Sequence, residues 1–551
     1  MWVDAPRQTE IQLLKIWKRY AVRRGLVDPY RVVEERIMIK RTDCRSDGRG
    51  FAASAPGNRH MFMGSAVGGQ NRPRIRENIG RTNICRSLPG MVVTFVCLLL
   101  LLLPVRTVRA DDSDASDPTV LWDRSNLLGN MGGLRTILGK YGITFLLSET
   151  SEVLGNVTGG LRQGADYEGA TIMALSLDTD KAFGWRGGTF YASALQIHGR
   201  GLTANNLYNL HVVSGFEAQR TTRLWELWFQ QSFAGGKADV KIGQIGIDQE
   251  FIVSQGACLY VNAMMGWPVL PAADLYAGGP AFPLSSPAVR LRVQPDSAVT
   301  VLAGVFDDNP PGGPFDDDSQ LRDAEASGTR FNMTTGALFI GEVQYAVNLP
   351  STEGGGRSPG LPGTYKLGAW YDTAKFPDQR FTASGLSLAN PEGDETARMD
   401  RNNFSIYGVA DQVVWRETRG PRTVSAFARL MGAPPDRNLI DWSLNAGVNV
   451  TALLPGRSND VCGIGYGWAH VSGNAADLDR DTSFYSGTPY PARGSEQFIE
   501  VTYQCQVAPW WIIQPDLQYI IEPGGGIENP FHPSKLVGNE LVLGVRTIIN
   551  F

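Results

Sequence analysis

The chain closes on Asn539-Glu-Leu-Val-Leu-Gly-Val-Arg-Thr-Ile-Ile-Asn-Phe551, and the reading of this stretch decides the fold. In an extended strand successive side chains project to opposite faces. Phe551, Ile549, Thr547, Val545, Leu543 and Leu541 then share one face, and Asn550, Ile548, Arg546, Gly544, Val542 and Glu540 the other. One side is nearly all apolar and the other carries an Arg and a Glu, the pattern of a half-buried strand. Soluble sandwiches use the same alternation. The number and spacing of similar strands upstream must therefore decide between a dry core and a lipid-facing wall.

Working back from the end, strands are expected at 141–149, 167–178, 187–199, 222–234, 237–247, 287–295, 297–306 and 337–348. Eight more are expected at 364–372, 404–416, 421–431, 439–451, 459–470, 495–507, 510–521 and 539–551. An even count and these lengths suit spans of about 9–11 residues or slightly more in a tilted barrel wall. In 439–451, Trp442, Leu444, Ala446, Val448 and Val450 oppose Asp441, Ser443, Asn445, Gly447 and Asn449. In 495–507, Ile499, Val501 and Tyr503 oppose Glu500, Thr502 and Gln504. Strand 404–416 needs a bulge, because Asp411 and Gln412 cannot both face inward, and Pro515 asks for another by removing a ladder donor. Connections after odd strands are long and those after even strands short, which describes an up-and-down meander with its tight turns at one end. The expectation is an all-β chain: a 16-stranded antiparallel transmembrane β-barrel, short turns in the periplasm and long loops outside. Closure also removes the unpaired edge that lipid could not satisfy.

The chain divides unevenly in charge. Residues 1–110 carry 20 Lys+Arg against 8 Asp+Glu, and residues 111–551 carry 31 against 47. Val92–Val105 is a short apolar run containing Leu98–Leu103, with arginines before it and Val108-Arg109-Ala110 after it. A basic flank, a short apolar core and a small residue before Asp111-Asp112 describe a secretory signal peptide. Four segments follow: 1–90, a basic extension read as an over-extended start; 91–110, the signal core and cleavage region; 111–140, a periplasmic or plug segment with a short helix near Leu134–Gly139; and 141–551, the barrel. The acidic exported part speaks against nucleic-acid binding. Cys258, Cys462 and Cys505 remain after the leader, and Cys462 and Cys505 fall on consecutive strands, so a cross-strand bridge and two reduced thiols are both open.

Several stretches resemble the carbohydrate-selective outer-membrane porin family (OprB-like). They include Asp166-Tyr-Glu-Gly169, Lys181–Gly188, Leu224-Trp-Glu-Leu-Trp-Phe-Gln-Gln231, Lys241-Ile-Gly-Gln244 with Asp248-Gln-Glu-Phe251, Tyr365–Thr373, Pro455-Gly-Arg457 and Pro509–Ile520. The resemblance covers roughly residues 120–551. It implies a bacterial outer-membrane channel for passive uptake of sugars such as glucose, with no cofactor. Phe551 resembles the terminal tag that barrel assembly machinery reads. The resemblance leaves a homotrimer and a monomer open.

In a pore the wall is the functional site. The inward candidates singled out for a constriction are Arg290, Arg292, Glu226, Glu342, Arg429 and Asp372, together with Trp228 and Trp370 as platforms for a sugar ring. Mixed charge suits a neutral hydroxylated solute, since each hydroxyl both donates and accepts. The third connection, 248–286, is too apolar to dangle in water and should fold into the barrel or pack on a neighbouring subunit. Asp477, Asp479 and Asp481 have the spacing of a calcium-loop start, but the glycine and closing Glu of that pattern are absent, and a solvated loop is the plainer reading. Three other functions compete: a general diffusion porin, a plugged structural or adhesive barrel, and a barrel lipase, which lacks a nucleophile-elbow serine.

Overall fold

The computed structural model describes residues 121–313, 315, 326–349, 360–394 and 396–551. The basic extension, the leader with its cysteines, and Asp316–Asp318 lie outside these residues. Within them the chain forms β1 (Ile143–Thr158), β2 (Gly164–Asp178), β3 (Gly188–Gly199), β4 (Thr221–Phe233), β5 (Ala238–Ile245), β6 (Ser286–Val293), β7 (Val299–Asp307) and β8 (Ala337–Val347). There follow β9 (Gly363–Thr382), β10 (Ala397–Arg416), β11 (Thr423–Gly432), β12 (Ile440–Thr451), β13 (Val461–Val471), β14 (Ser495–Ala508) and β15 (Trp511–Ile521). A small hairpin, β16 (Glu528–Asn529) and β17 (His532–Leu536), precedes β18 (Glu540–Asn550). Each barrel strand pairs antiparallel with its neighbour, and β18 returns to β1 to close a sixteen-stranded barrel.

The alternation settles the facing. On β12, Trp442 and Val448 are exposed on the outer wall, while Ser443, Asn445 and Asn449 are buried inside. On β14, Ile499 and Val501 face out and Glu500 and Thr502 face in. On β18, Leu543 and Val545 face out and Glu540 and Arg546 in. The apolar side is the outer one, as lipid requires.

Three expectations about strands need correction. The first connection is only 159–163, because β1 runs on past the expected end at 149, through Gly155-Asn156, which pair with Leu543 and Val542. β9 and β10 pass far beyond Asp372 and Phe404 as a ribbon with polar groups on both faces, so the two-residue apolar signal stops while the pairing continues. Pro515 causes no bulge: the β14–β15 ladder skips its missing donor and resumes in the same register, Thr502 with Asp516 and Cys505 with Ile513. The bulge expected in 404–416 is present, between Val413 and Trp415.

Cys462 and Cys505 are both free. Register places Cys462 opposite Tyr503, two residues short of Cys505, and the Cys505 sulfur instead meets Arg457 Nη2 at 2.9 Å. The expected short helix is α1 (Leu134–Lys140), which lies at the short-turn rim. Its Arg135 donates to the carbonyls of Phe145 and Phe551, and Trp122 stacks on Trp510 and Trp511, so this segment ties the two ends of the barrel seam.

Candidate functional site

A β-barrel wall turns half its side chains inward, and what fills the interior follows from what those side chains can bind. Among the described residues, two connections enter it. The third long one, 246–285, is apolar, and Phe251, Ile252, Leu270 and Leu275 pack on inward wall residues Leu302, Phe306, Leu338, Ile340 and Met431. So apolar a segment is more stable against these residues than in water. Of the two placements expected for it, the structure takes the barrel interior. The second, 200–220, does the same with Leu202, Leu207 and Val213, which the sequence reading overlooked although its low charge is the same signal.

Backbone buried this way must be paired, and the polar wall residues do the pairing. Glu500 accepts from Val261 N at 2.6 Å, Glu342 from Ile252 N at 3.0 Å, Asp411 from Gly256 N at 2.9 Å and Glu226 from Gly246 N at 3.1 Å. Glu496 accepts from Leu210 N and His211 N at 2.7 and 2.6 Å. Carbonyls are taken by Arg429, Gln514, Gln518 and Lys366. Arg429 alone reaches four of them, on Ile252, Met264, Met265 and Gly266, at 2.8–3.1 Å.

A second set of inward side chains, on β3 to β6, bonds chiefly to one another. Tyr191 on β3 stacks on Trp228 of β4 (centroids 4.8 Å apart), and the Lys241 ammonium on β5 lies 3.9 Å from the centroid of the Trp228 ring. Lys241 pairs with Glu250 of the third connection. Glu250 also holds Arg290 Nε at 2.8 Å, and Arg290 reaches Asp239. Arg292 completes the row, its Nε 2.6 Å from Asp239 Oδ2, with its side chain 30% exposed. Five charged groups of both signs thus form one connected band across β5, β6 and the start of the third connection.

The sequence candidates therefore separate. Arg290 and Arg292 belong to this band, and Trp228 borders it with its ring covered by Tyr191 and Lys241. Glu226, Glu342 and Arg429 are engaged with backbone of the inserted connection. Trp370 is 2% exposed within the apolar packing, and Asp372 is fully buried with Ala374 N as donor at 2.8 Å. Asp477, Asp479 and Asp481 lie not in a solvated loop but on α2 (Gly473–Ser486), where they bind arginines: Asp477 and Asp481 face Arg380 at 2.7 and 2.8 Å, and Asp479 faces Arg493 at 2.7 Å. Glu250 was missed, because a carboxylate in a connection has no strand alternation to show where it points.

Two carboxyls in the inserted connections are perturbed. Burial pushes Glu217 up to about 7 despite Thr203, whose N and Oγ1 donate to it at 2.9 and 2.8 Å. Burial also pushes Asp248 up to about 6. Toward the short-turn end a cavity of about 520 Å³ opens, bordered by Gln255, Cys258, Asp411, Asn449 and Gln504.

An even-stranded closed wall, apolar outside, polar inside and narrowed by its own connections, is a bacterial outer-membrane porin. The profile of the carbohydrate-selective porin, OprB family, matches residues 162–551, and the chain belongs to that family. Porin B of Pseudomonas aeruginosa is 26% identical over 457 residues, covering 79% of this chain and 93% of that protein. The high-pH structure of Pseudomonas putida OprB, 25% identical, superposes with a TM-score of 0.67 over 78% of this chain and 99% of that one.

Proposed function

We propose that the channel passes small neutral carbohydrates of monosaccharide size, such as glucose, and selects them at the band formed by Lys241, Glu250, Arg290, Asp239 and Arg292. The observation that carries this reading is the pairing within the band. Each charge is met by its opposite, so the band holds no large field of one sign to draw an anion or a cation. It still offers N–H donors and carboxylate acceptors side by side, which suits a solute whose every hydroxyl does both. The rings of Trp228 and Trp370 are covered, so recognition is polar rather than by stacking. Glu226, Glu342, Arg429 and Asp372 contribute by holding the constriction in place.

The test is sugar-dependent block of single-channel current in a planar bilayer. Glucose should reduce the current in a saturable way. Glu250→Gln and Arg290→Ala should each raise the half-blocking concentration about tenfold, equivalent to ~1.4 kcal/mol, with the barrel still folded. Solute passage ordered only by size, with no block by any sugar, would make this a general diffusion porin.

A further inference from the structure

The cavity of about 520 Å³ at the short-turn end contains none of the five charged residues of the band. It is bounded by the wall from β9 to β14 and by Gln255–Leu259 of the third connection. In the sixteen-stranded wall β14 stands eight strands from β6, so the cavity reaches the side of the barrel opposite Arg290 and Arg292. Thr364 and Ser425 open β9 and β11 near their first residues, and Thr451 is the last residue of β12. Register then sets Thr451, Val461 and Gln504 side by side across β12, β13 and β14.

Arg429, Glu500, Gln514 and the charged band are each committed to inserted backbone or to one another. The cavity is lined differently. Thr364, Ser425, Thr451, Gln504 and Gln255 border it, and among the described residues none of their side chains makes a hydrogen bond.

The polar groups that are engaged here fix the floor. Asp411 accepts from Ser254 Oγ at 2.7 Å and from Gly256 N at 2.9 Å. Asn449 Nδ2 donates to Gly256 O at 2.8 Å, and Asn449 Oδ1 accepts from Tyr260 OH at 2.9 Å. The third connection is thus pinned before any solute arrives, which spares a ligand the cost of ordering it.

The lining also states what it would take. Its volume falls within the ~300–1,000 Å³ of small-molecule pockets. Two amides and three hydroxyls can each donate and accept, and Leu259, Leu349 and Val461 add apolar surface for the C–H face of a ring. Asp411 is the one charged residue on the lining among the described residues. An anionic solute would meet that carboxylate with no Lys or Arg to offset it.

We infer that this cavity is a second sugar subsite, separate from the band, which holds a neutral monosaccharide by the Thr364, Ser425, Thr451, Gln504 and Gln255 side chains and rejects the corresponding sugar acid. The inference rests on the sugar channel proposed above and gives it a second station on the opposite wall.

Cys258 is exposed and borders the cavity, which makes it a native reporter. Residues 111–551, folded in detergent, are treated with methyl methanethiosulfonate. Thiol exchange leaves a methyl disulfide on Cys258 and releases methanesulfinate, and peptide mass spectrometry reads the extent at that residue. Glucose should slow the reaction saturably, by about threefold or more, and glucuronate at the same concentration should not. Thr451→Val combined with Gln504→Leu removes no hydrogen bond of the folded barrel and should raise the half-protecting glucose concentration about tenfold or more. Arg290→Ala, which should weaken current block, should leave this protection as in the parent. A Cys258 that does not react in the folded parent overturns the subsite, as does one that glucose leaves unprotected while still blocking current. Equal protection by glucuronate overturns it too, and so does protection that Arg290→Ala abolishes or that the double variant keeps undiminished. A parent whose current no sugar blocks, and whose Cys258 glucose does not protect, overturns the sugar channel and the subsite together.

Discussion

An Arg429→Met barrel should conduct more current than the parent and flicker between levels. The Arg429 guanidinium is 1% exposed and donates to four carbonyls of the third connection and to Asn445 Oδ1. A buried acceptor stripped of its donor costs ~1–3 kcal/mol. With water reaching some of the four carbonyls, the loss of two or so sets a total of about 3–5 kcal/mol. At tenfold per ~1.4 kcal/mol, the undocked loop becomes about a hundredfold to a few thousandfold more populated. Glu500, Asp411 and Gln514 still hold the same connection, so release should be intermittent. The strand ladders do not use this side chain, and heat-modifiable migration on a gel should stay as in the parent. Planar-bilayer recording reads the effect directly. A variant with intact migration, parental conductance and no added current noise would refute the idea that wall side chains hold the constriction by its backbone.

Arg135→Ala should lower the midpoint of urea unfolding by the loss of two backbone contacts at the seam, ~1–2 kcal/mol, since Arg135 ties Phe145 to Phe551; an unchanged midpoint would deny α1 that role. Glu217, held at about 7, has a folded value above its usual 4.5. Its contribution to the docked second connection is therefore complete below about pH 4.5 and lost as pH rises through 7. Current noise should grow from pH 5 to pH 8 in the parent and change less in Glu217→Gln; equal pH profiles would be evidence against this carboxyl as the source. Residues 111–551, expressed without the preceding segment and unfolded without reductant, should titrate three thiols, and fewer would mean a bridge that the register of β13 and β14 does not provide.

The strands were legible because lipid imposes a two-residue alternation that a single chain displays without its neighbours. Leu543 and Val545 against Glu540 and Arg546 can be sorted by inspection, and the same holds on β12 and β14. The signal failed where lipid ends: β9 continues through Lys375, Asp378 and Arg380 with no apolar face to mark it. Alternation also says which way Arg429 or Glu342 points but not what stands across the lumen. Both bond backbone atoms of a connection 90 or more residues away, and no side-chain pattern announces a peptide group. Trp228 pointed inward as read, yet its ring is covered by Tyr191 and Lys241, a fact of three adjacent strands rather than of one.

A porin interior must reconcile two demands, a wet path and a narrow one. Narrowing by folding chain into the lumen buries peptide groups away from water, and each needs a partner. The two inserted connections have few charged side chains of their own to spare, so the partners come from the wall: acids for the N–H groups and Arg, Lys or amides for the carbonyls. Those residues cannot serve the solute at the same time. Under the proposed function, selectivity falls to polar groups bonded to side chains rather than to the loop backbone. The row from Lys241 to Arg292 meets that condition, since its bonds are chiefly to other charged side chains, and it borders the one charged group that the inserted connection brings to it, Glu250. If this division of labour holds, Glu250→Gln should change sugar block while leaving the loop docked, and Arg429→Met should free the loop. A Glu250→Gln channel with the raised conductance and flicker expected of Arg429→Met would show that the two sets are not separate.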